Sequence, residues 1–289
     1  MKAFAEKQKT GLTLKKSGWN QRQRLLFWLI AAVLFLTAVC VGGMFLDEAA
    51  KTTDFSRKNI SPCLTYPFGT DWLGRDMFAR TIRGLSISIV IGISAAAVSA
   101  VLAFILGVVS ATMGKAADAM VTWFIDLVMG IPHMLLLILV CVACGRGLKG
   151  VILGVALTHW TSLARLIRGE VLQLKEQQYI KMARKLGKSN LYIAMKHMAP
   201  HLFPQFVVGL ILLFPHAILH ESGITFLGFG LSNEQPAIGI ILSEAMKYMI
   251  TGKWWLALFP GLMLVLTVVC FYAVGENLRK LVDPASAHK

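Results

Sequence analysis

The sequence predicts an all-α integral membrane fold with six transmembrane helices, and three observations carry that prediction. Of the 289 residues 56% are apolar, whereas soluble domains hold about 45–50%; the mean hydropathy is +0.65. The apolar residues also fall in blocks too long for a soluble core. Leu25 to Leu46 runs without a charge, which at about 1.5 Å per residue crosses a hydrocarbon layer about 30 Å thick. Finally, the basic residues gather in some of the polar segments between blocks and are sparse in others.

In chain order, residues 1–24 form a basic amino tail and 25–46 the first transmembrane helix. The run before it, ending in Arg22 and Arg24, resembles the start of a signal peptide. The apolar block is longer than the about 7–15 residues of such a signal and no small-x-small site closes it, so an uncleaved anchor is expected. Residues 47–84 form an external loop. A five-helix core follows over 85–276, with spans near 85–113, 119–144, 148–164, 202–230 and 254–275. The fourth is short, and its flanks could extend it. Pro132 is expected to kink the third. Residues 277–289 are the carboxyl tail.

Orientation follows from the basic residues. The amino tail through Arg24 holds seven Lys/Arg and Arg165 to Lys196 holds eight, against two each in 145–149 and 231–253. The positive-inside rule places both rich segments, and with six spans both termini, in the cytoplasm. The 47–84 loop, with six basic and five acidic residues, is assigned outside by the span count. The net charge of +14 is thus read as membrane topology, with no nucleic-acid partner. Cys40, Cys141, Cys144 and Cys270 lie in apolar runs, where cysteine behaves as a small hydrophobe; the Cys141-x-x-Cys144 spacing alone is weak evidence for metal or redox chemistry.

The 165–200 segment is the most informative polar stretch. Leu172, Tyr179, Met182, Ala183 and Leu186 recur at helical spacing, Gly187 is a helix stop, and Asn190 could cap a second helix. Two short amphipathic helices joined at a glycine on the cytoplasmic side suit docking to a soluble partner. The segment resembles the coupling loop of ABC importer permeases, whose pattern is Glu-Ala-Ala, three residues, Gly, nine residues, then an apolar-x-Leu-Pro ending. The matching residues are Lys181-Met182-Ala183, Gly187 and His197-Met198-Ala199-Pro200. The spacing is kept, while Lys181, Met182 and Ala199 replace the pattern's Glu, first Ala and Leu.

Two further stretches are similar to the dipeptide/oligopeptide/nickel family of these permeases, second-permease type. Phe68-Gly69-Thr70-Asp71-Trp72-Leu73-Gly74-Arg75-Asp76 resembles its Phe-Gly-Thr-Asp-x-x-Gly-Arg-Asp signature, and Glu221 through Phe226-Leu227-Gly228 to Gly230 its Glu-x-x-x-x-Phe-Leu-Gly-x-Gly stretch. A Leu258–Gly261 run and a closing Asp283-Pro284 follow. The resemblance implies the type I ABC importer permease fold with cytoplasmic coupling helices, in a bacterial or archaeal cytoplasmic membrane. It implies ATPase coupling through Tyr179, Lys181, Met182, Ala183, Leu186, Gly187 and Pro200. It implies a heterodimeric pore with a second permease, two cytosolic ABC ATPases using ATP and Mg, and an external substrate-binding protein. No cofactor is expected on this chain. Independently, the sequence lacks a P-loop: Gly187-Lys188-Ser189 has the right end, but Met182 stands where the first glycine is needed.

Ionisable residues within spans are costly and point to a cavity or a partner. Here they are Asp126, His133, His159, His216, His220 and Glu221. His216 and His220, four apart, share a helical face, and Glu221 lies about 100° further round. The path candidates are His159, His216, His220 and Glu221; Asp126 is expected to pair within the protein, and no metal ligand is assigned. Imidazoles suit nickel, cobalt, copper and zinc. By resemblance, nickel-type members carry His-Trp at His159-Trp160 and histidines before Phe-Leu-Gly. The expected cargo is therefore nickel, cobalt or a metal chelate, with dipeptide or oligopeptide import as the alternative. A metalloprotease reading fails because Ile224 stands where His-Glu-x-x-His needs its second histidine. A secondary transporter would need no cytoplasmic docking segment, and no internal repeat is evident.

Overall fold

The computed structural model describes residues 21–232 and 235–282. The amino tail to residue 20, positions 233–234 and the end from residue 283, with its Asp-Pro pair, lie outside the described residues. Helix α1 spans Gln21–Phe45, and a short α2, Asp47–Lys51, opens the first loop. The long α3, Met77–Thr112, is followed by α4, Lys115–Gly130, and α5, His133–Ala143. Then come α6, Leu148–Lys175, and the short α7, Gln178–Lys185, and α8, Asn190–Ile193. Helices α9, Ala199–Phe226, α10, Ile238–Met249, and α11, Trp255–Val282, complete the described chain.

Among the described residues five helices are long and apolar enough to cross a membrane: α1, α3, α6, the run from Asn190 to Phe226, and α11. A sixth span forms if α4 and α5 are one broken span, bent by 102° at their junction. The bend sits at Pro132, as the sequence predicts. Proline removes a backbone donor and forces the preceding residue out of the helical region, and Ile131 is indeed extended. The short fourth span does extend, as α6 runs on to Lys175.

Some boundaries differ from the sequence reading. The first loop, expected to be external, ends at Asp76 instead of residue 84, because the Asp76 carboxylate accepts a hydrogen bond from the Phe78 amide at 2.8 Å and caps α3 there. Helix α11 continues past 276 to Val282. The 231–253 loop contains α10, whose Ile238, Ile240, Ile241 and Ala245 are buried against the bundle. Ser189, not Asn190, caps α8, its hydroxyl accepting from the Tyr192 amide.

Helix α3 is the centre of the bundle, packing along α6, α9 and α1. Its contact with α6 is built on Ala100, Ala103, Gly107 and Ala164, all buried. Small residues let membrane helices approach closely, because lipid supplies no hydrophobic drive to hold them together. Charged residues tie the polar end of this layer. Arg168 of α6 grips Asp118 of α4 with two bonds of 2.6 and 2.7 Å. Lys175 donates to the Ala111 carbonyl at the end of α3. Between α8 and α9, residues 194–198 form a π-type turn.

Candidate functional site

A cavity of about 770 Å³ opens among α4, α5, α6 and α9. Val128, Met129, Leu163, Leu166, Leu212 and Leu213 supply apolar wall; His133, His159, His216 and His220 supply most of the titratable groups. Gln205 and Arg279 line it as well. Three of the four histidines converge. The His133, His159 and His220 rings stand 4.6–4.9 Å apart, centroid to centroid, with one nitrogen of each within 4.8 Å of the others. They come from three elements: the first residue of α5, the middle of α6, and the last turns of α9.

Local structure explains each position. The break at Pro132 ends α4 and restarts the chain as α5, turning His133 into the cluster. His159 is 8% exposed, and its Nδ1 lies 2.9 Å from the Val155 carbonyl and 3.1 Å from the Thr158 hydroxyl. A carbonyl oxygen only accepts, so Nδ1 carries a proton, and in the neutral tautomer the lone pair lies at Nε2. The Nε2 atoms of His159 and His133 are buried without a hydrogen-bond partner. His220 Nδ1 lies 3.2 Å from the Met134 sulfur.

Of the four path residues expected from sequence, His159, His216 and His220 line the cavity and Glu221 does not. Glu221 is fully buried, and its carboxylate accepts from Thr225 at 3.1 Å and Ser222 at 3.2 Å. The 100° step from His220 turns it into the packing between helices. His133 completes the cluster instead of Glu221. Asp126 pairs with Arg165 at 2.9 Å on an exposed face, as expected from sequence.

The signature loop lies away from the cavity. Asp71, 1% exposed, accepts from the amides of Leu73 and Arg75, from Arg75 Nε at 2.7 Å and from an Arg80 terminal nitrogen at 2.8 Å. Arg80 also donates to Glu244 of α10 at 2.9 Å. Gly69 and Gly74 adopt φ of +70° and +75°, which side chains other than glycine rarely tolerate. These residues fold the loop and lock it to α10.

At the opposite end α7, α8 and their joint form the segment expected to couple to an ATPase. Ile180 and Ala183 turn inward and are buried, while Tyr179, Met182 and Leu186 are 46%, 58% and 74% exposed. Leu191 and Met195 extend this apolar face. Gly187 has φ +76°, and the Lys188 amide reaches back to the Ala183 carbonyl at 3.2 Å, the usual glycine-terminated helix end. Lys181 pairs with Glu176 at 2.8 Å and holds that carboxyl below its ordinary range. Pro200 sits at the start of α9, directly after the π-type turn.

Comparison with known proteins agrees with this architecture. Residues 103–287 match the family described as binding-protein-dependent transport system inner membrane component. The dipeptide transport system permease protein DppC of Bacillus subtilis is 30% identical over 280 residues, covering 96% of this chain and 88% of that protein. The oligopeptide transport system permease protein OppC of the same organism is 32% identical over 256 residues, 89% and 84% of the two chains. A chain of the inward-facing MetNI methionine ABC transporter superposes with a TM-score of 0.59 at 16% identity, covering 72% of this chain and 98% of that one; this likeness concerns the fold. The chain therefore belongs to the binding-protein-dependent transport system inner membrane component family, as a multi-pass permease subunit of an ABC importer and not a catalytic subunit.

Proposed function

We propose that this chain forms half of a translocation pore whose cargo path runs through the histidine-lined cavity. A second, related permease supplies the other half, two cytosolic ATPases dock on the exposed face of α7 and α8, and an external binding protein delivers cargo. Both termini lie in the cytoplasm. ATP hydrolysis by the partners drives rocking between inward- and outward-open states, transmitted through the segment from Gln178 to Pro200.

The cargo is a small peptide or peptide-like solute. The observation that carries this is identity of 30% and 32% over most of the chain to a dipeptide and an oligopeptide permease. Neither of those relatives carries nickel or cobalt in its name, so the metal reading moves to second place. One observation keeps it there: a peptide path has no need of three imidazoles converging on one point.

The test is deletion of the chain, followed by growth on dipeptides or oligopeptides as sole nitrogen source and by cellular metal content in metal-poor medium. Loss of peptide use with unchanged metal supports the first reading, and loss of nickel or cobalt with unchanged peptide use supports the second. Gly187→Pro is expected to abolish copurification of an ATPase; if the ATPase and uptake both survive it, the coupling assignment is wrong.

A further inference from the structure

We propose that a second cleft, between α1, α2 and α3, holds one anionic phospholipid, its phosphate between Lys51 and Arg83 and an acyl chain along the Val90 face of α3. The cleft has a volume of about 410 Å³ and shares no lining residue with the histidine cavity. Leu148, at its edge, opens α6, whereas α7 follows the other end of that helix. The cleft therefore lies at the end of the bundle away from α7.

Charge defines the head of the site. One Asp47 oxygen lies 2.6 Å from Lys51 Nζ, and the other lies 2.6 Å from Arg83 Nε. The hydrogen bond from Lys51, helped by the Arg83 charge, holds the Asp47 carboxyl below its ordinary range. The three groups together carry one positive charge, and no other acid among the described residues lines the cleft. Arg83 is 25% exposed and meets Asp47 through Nε, which leaves its terminal nitrogens for a second acceptor. The guanidinium fork suits phosphate oxygens, and one phosphodiester brings the single negative charge that balances the set. A choline or ethanolamine head would add a cation, yet both Asp47 oxygens are already engaged. The site fits a head whose only charge is its phosphate.

Below the charges the wall is apolar and open. Ile87 and Val90 follow Arg83 at i+4 and i+7 on one face of α3, and Met44 of α1 flanks them. Val90 and Met44 are 57% and 69% exposed. Val101 and Ile105, half exposed as well, continue this face within about 60° of Val90. From Val90 to Val101 the helix rises about 16 Å, close to half of a hydrocarbon core about 30 Å thick. A free anion needs none of this stripe. A basic head above an apolar stripe, on one helix face, is the complement of an anionic lipid. So placed, the phosphate joins α2 to α3 across the cleft.

The experiment incubates the purified importer with mixed micelles of phosphatidylglycerol or of phosphatidylcholine, removes free lipid and measures retained lipid by native mass spectrometry. Inorganic phosphate is the head-only competitor. Expected is one tightly retained phosphatidylglycerol that phosphatidylcholine does not replace. Lys51→Gln and Arg83→Gln should each weaken it about fivefold. Lys58→Gln, exposed on the same loop and outside the cleft, should not. Val90→Trp fills the apolar wall while leaving all three charges, so it should also reduce retention. It keeps the test decisive if Arg83→Gln fails to fold. In intact membranes, a photo-crosslinking residue placed at position 90 should form a phospholipid adduct.

Equal retention of phosphatidylcholine, or retention indifferent to Lys51, Arg83 and Val90, overturns the site. Displacement of the lipid by inorganic phosphate shows a free-anion site and overturns the lipid. An adduct with a second permease in place of lipid makes the cleft a subunit interface and overturns the proposal equally.

Discussion

Arg80 stands where two carboxylates from distant parts of the chain meet. Asp71 and Arg80 are almost wholly buried, at 1% and 3% exposure, and Glu244 closes the group from α10. Removing Arg80 leaves Arg75 as the remaining cation beside Asp71 and Glu244, so the loss is expected at or below the about 3–5 kcal/mol of a fully broken buried pair. Arg80→Leu is therefore expected to lower the thermal midpoint of the purified complex markedly; an unchanged midpoint would show that solvent reaches the carboxylates. Arg75→Leu should cost less, because Arg75 is more exposed than Arg80 and its bond to Glu244 is 3.5 Å long. At this scale the sequence was legible where chemistry is local. The i,i+4 pair of His216 and His220 could be read from periodicity, as could the glycine turns at Gly69 and Gly74. The choice between His133 and Glu221 could not. It depends on which way the chain turns after Pro132, and a proline announces a bend without giving its direction.

At the scale of elements, glycine marks the tightest places. A side chain at Gly107 would come within 2.8 Å of the Ala164 carbonyl and 2.9 Å of Ile167, so α3 and α6 could not keep their separation. Gly107→Val is expected to cost about 1–3 kcal/mol through overpacking, seen as a lower yield of intact complex. Gly187 is the opposite case: a side-chain carbon there would meet nothing within 4 Å, but its φ is +76°. Gly187→Ala should cost about 1–2 kcal/mol in backbone strain alone and raise hydrogen exchange across residues 178–198 without changing expression. Helix existence was evident from hydropathy for all the long spans. Helix α10 was not, because a short amphipathic helix between spans reads as loop until the surface it covers is known. The α4–α5 break was half visible: Pro132 gave its location, whereas its 102° angle comes from packing against α6 and α9.

For the molecule as a whole, apolar surface has two destinations. Trp28, Leu34, Leu135 and Leu139 are more than half exposed on helices long and apolar enough to cross a membrane, α5 together with α4, where such surface suits lipid. Met182, Leu186, Leu191 and Met195 are equally exposed but lie on the basic segment proposed to couple to an ATPase, where an apolar face calls for a protein partner. Met182→Asp with Leu186→Asp is expected to release the ATPase while the chain still inserts, as measured by copurification from membranes. Retention of the ATPase would place its dock elsewhere.

The π-type turn at residues 194–198 gives the proposed dock its angular setting. Such a turn holds one residue more than an α-helical turn, and one residue of an α-helix is about 100° of rotation. It works as a spacer washer on a shaft: the stub carrying Leu191 and Met195 is clocked away from the phase that an unbroken helix would impose on it. Deleting a single residue there would leave every side chain of α9 in place below it. The stub would be wound round by more than a quarter turn, presenting its polar side to whatever pushes on it.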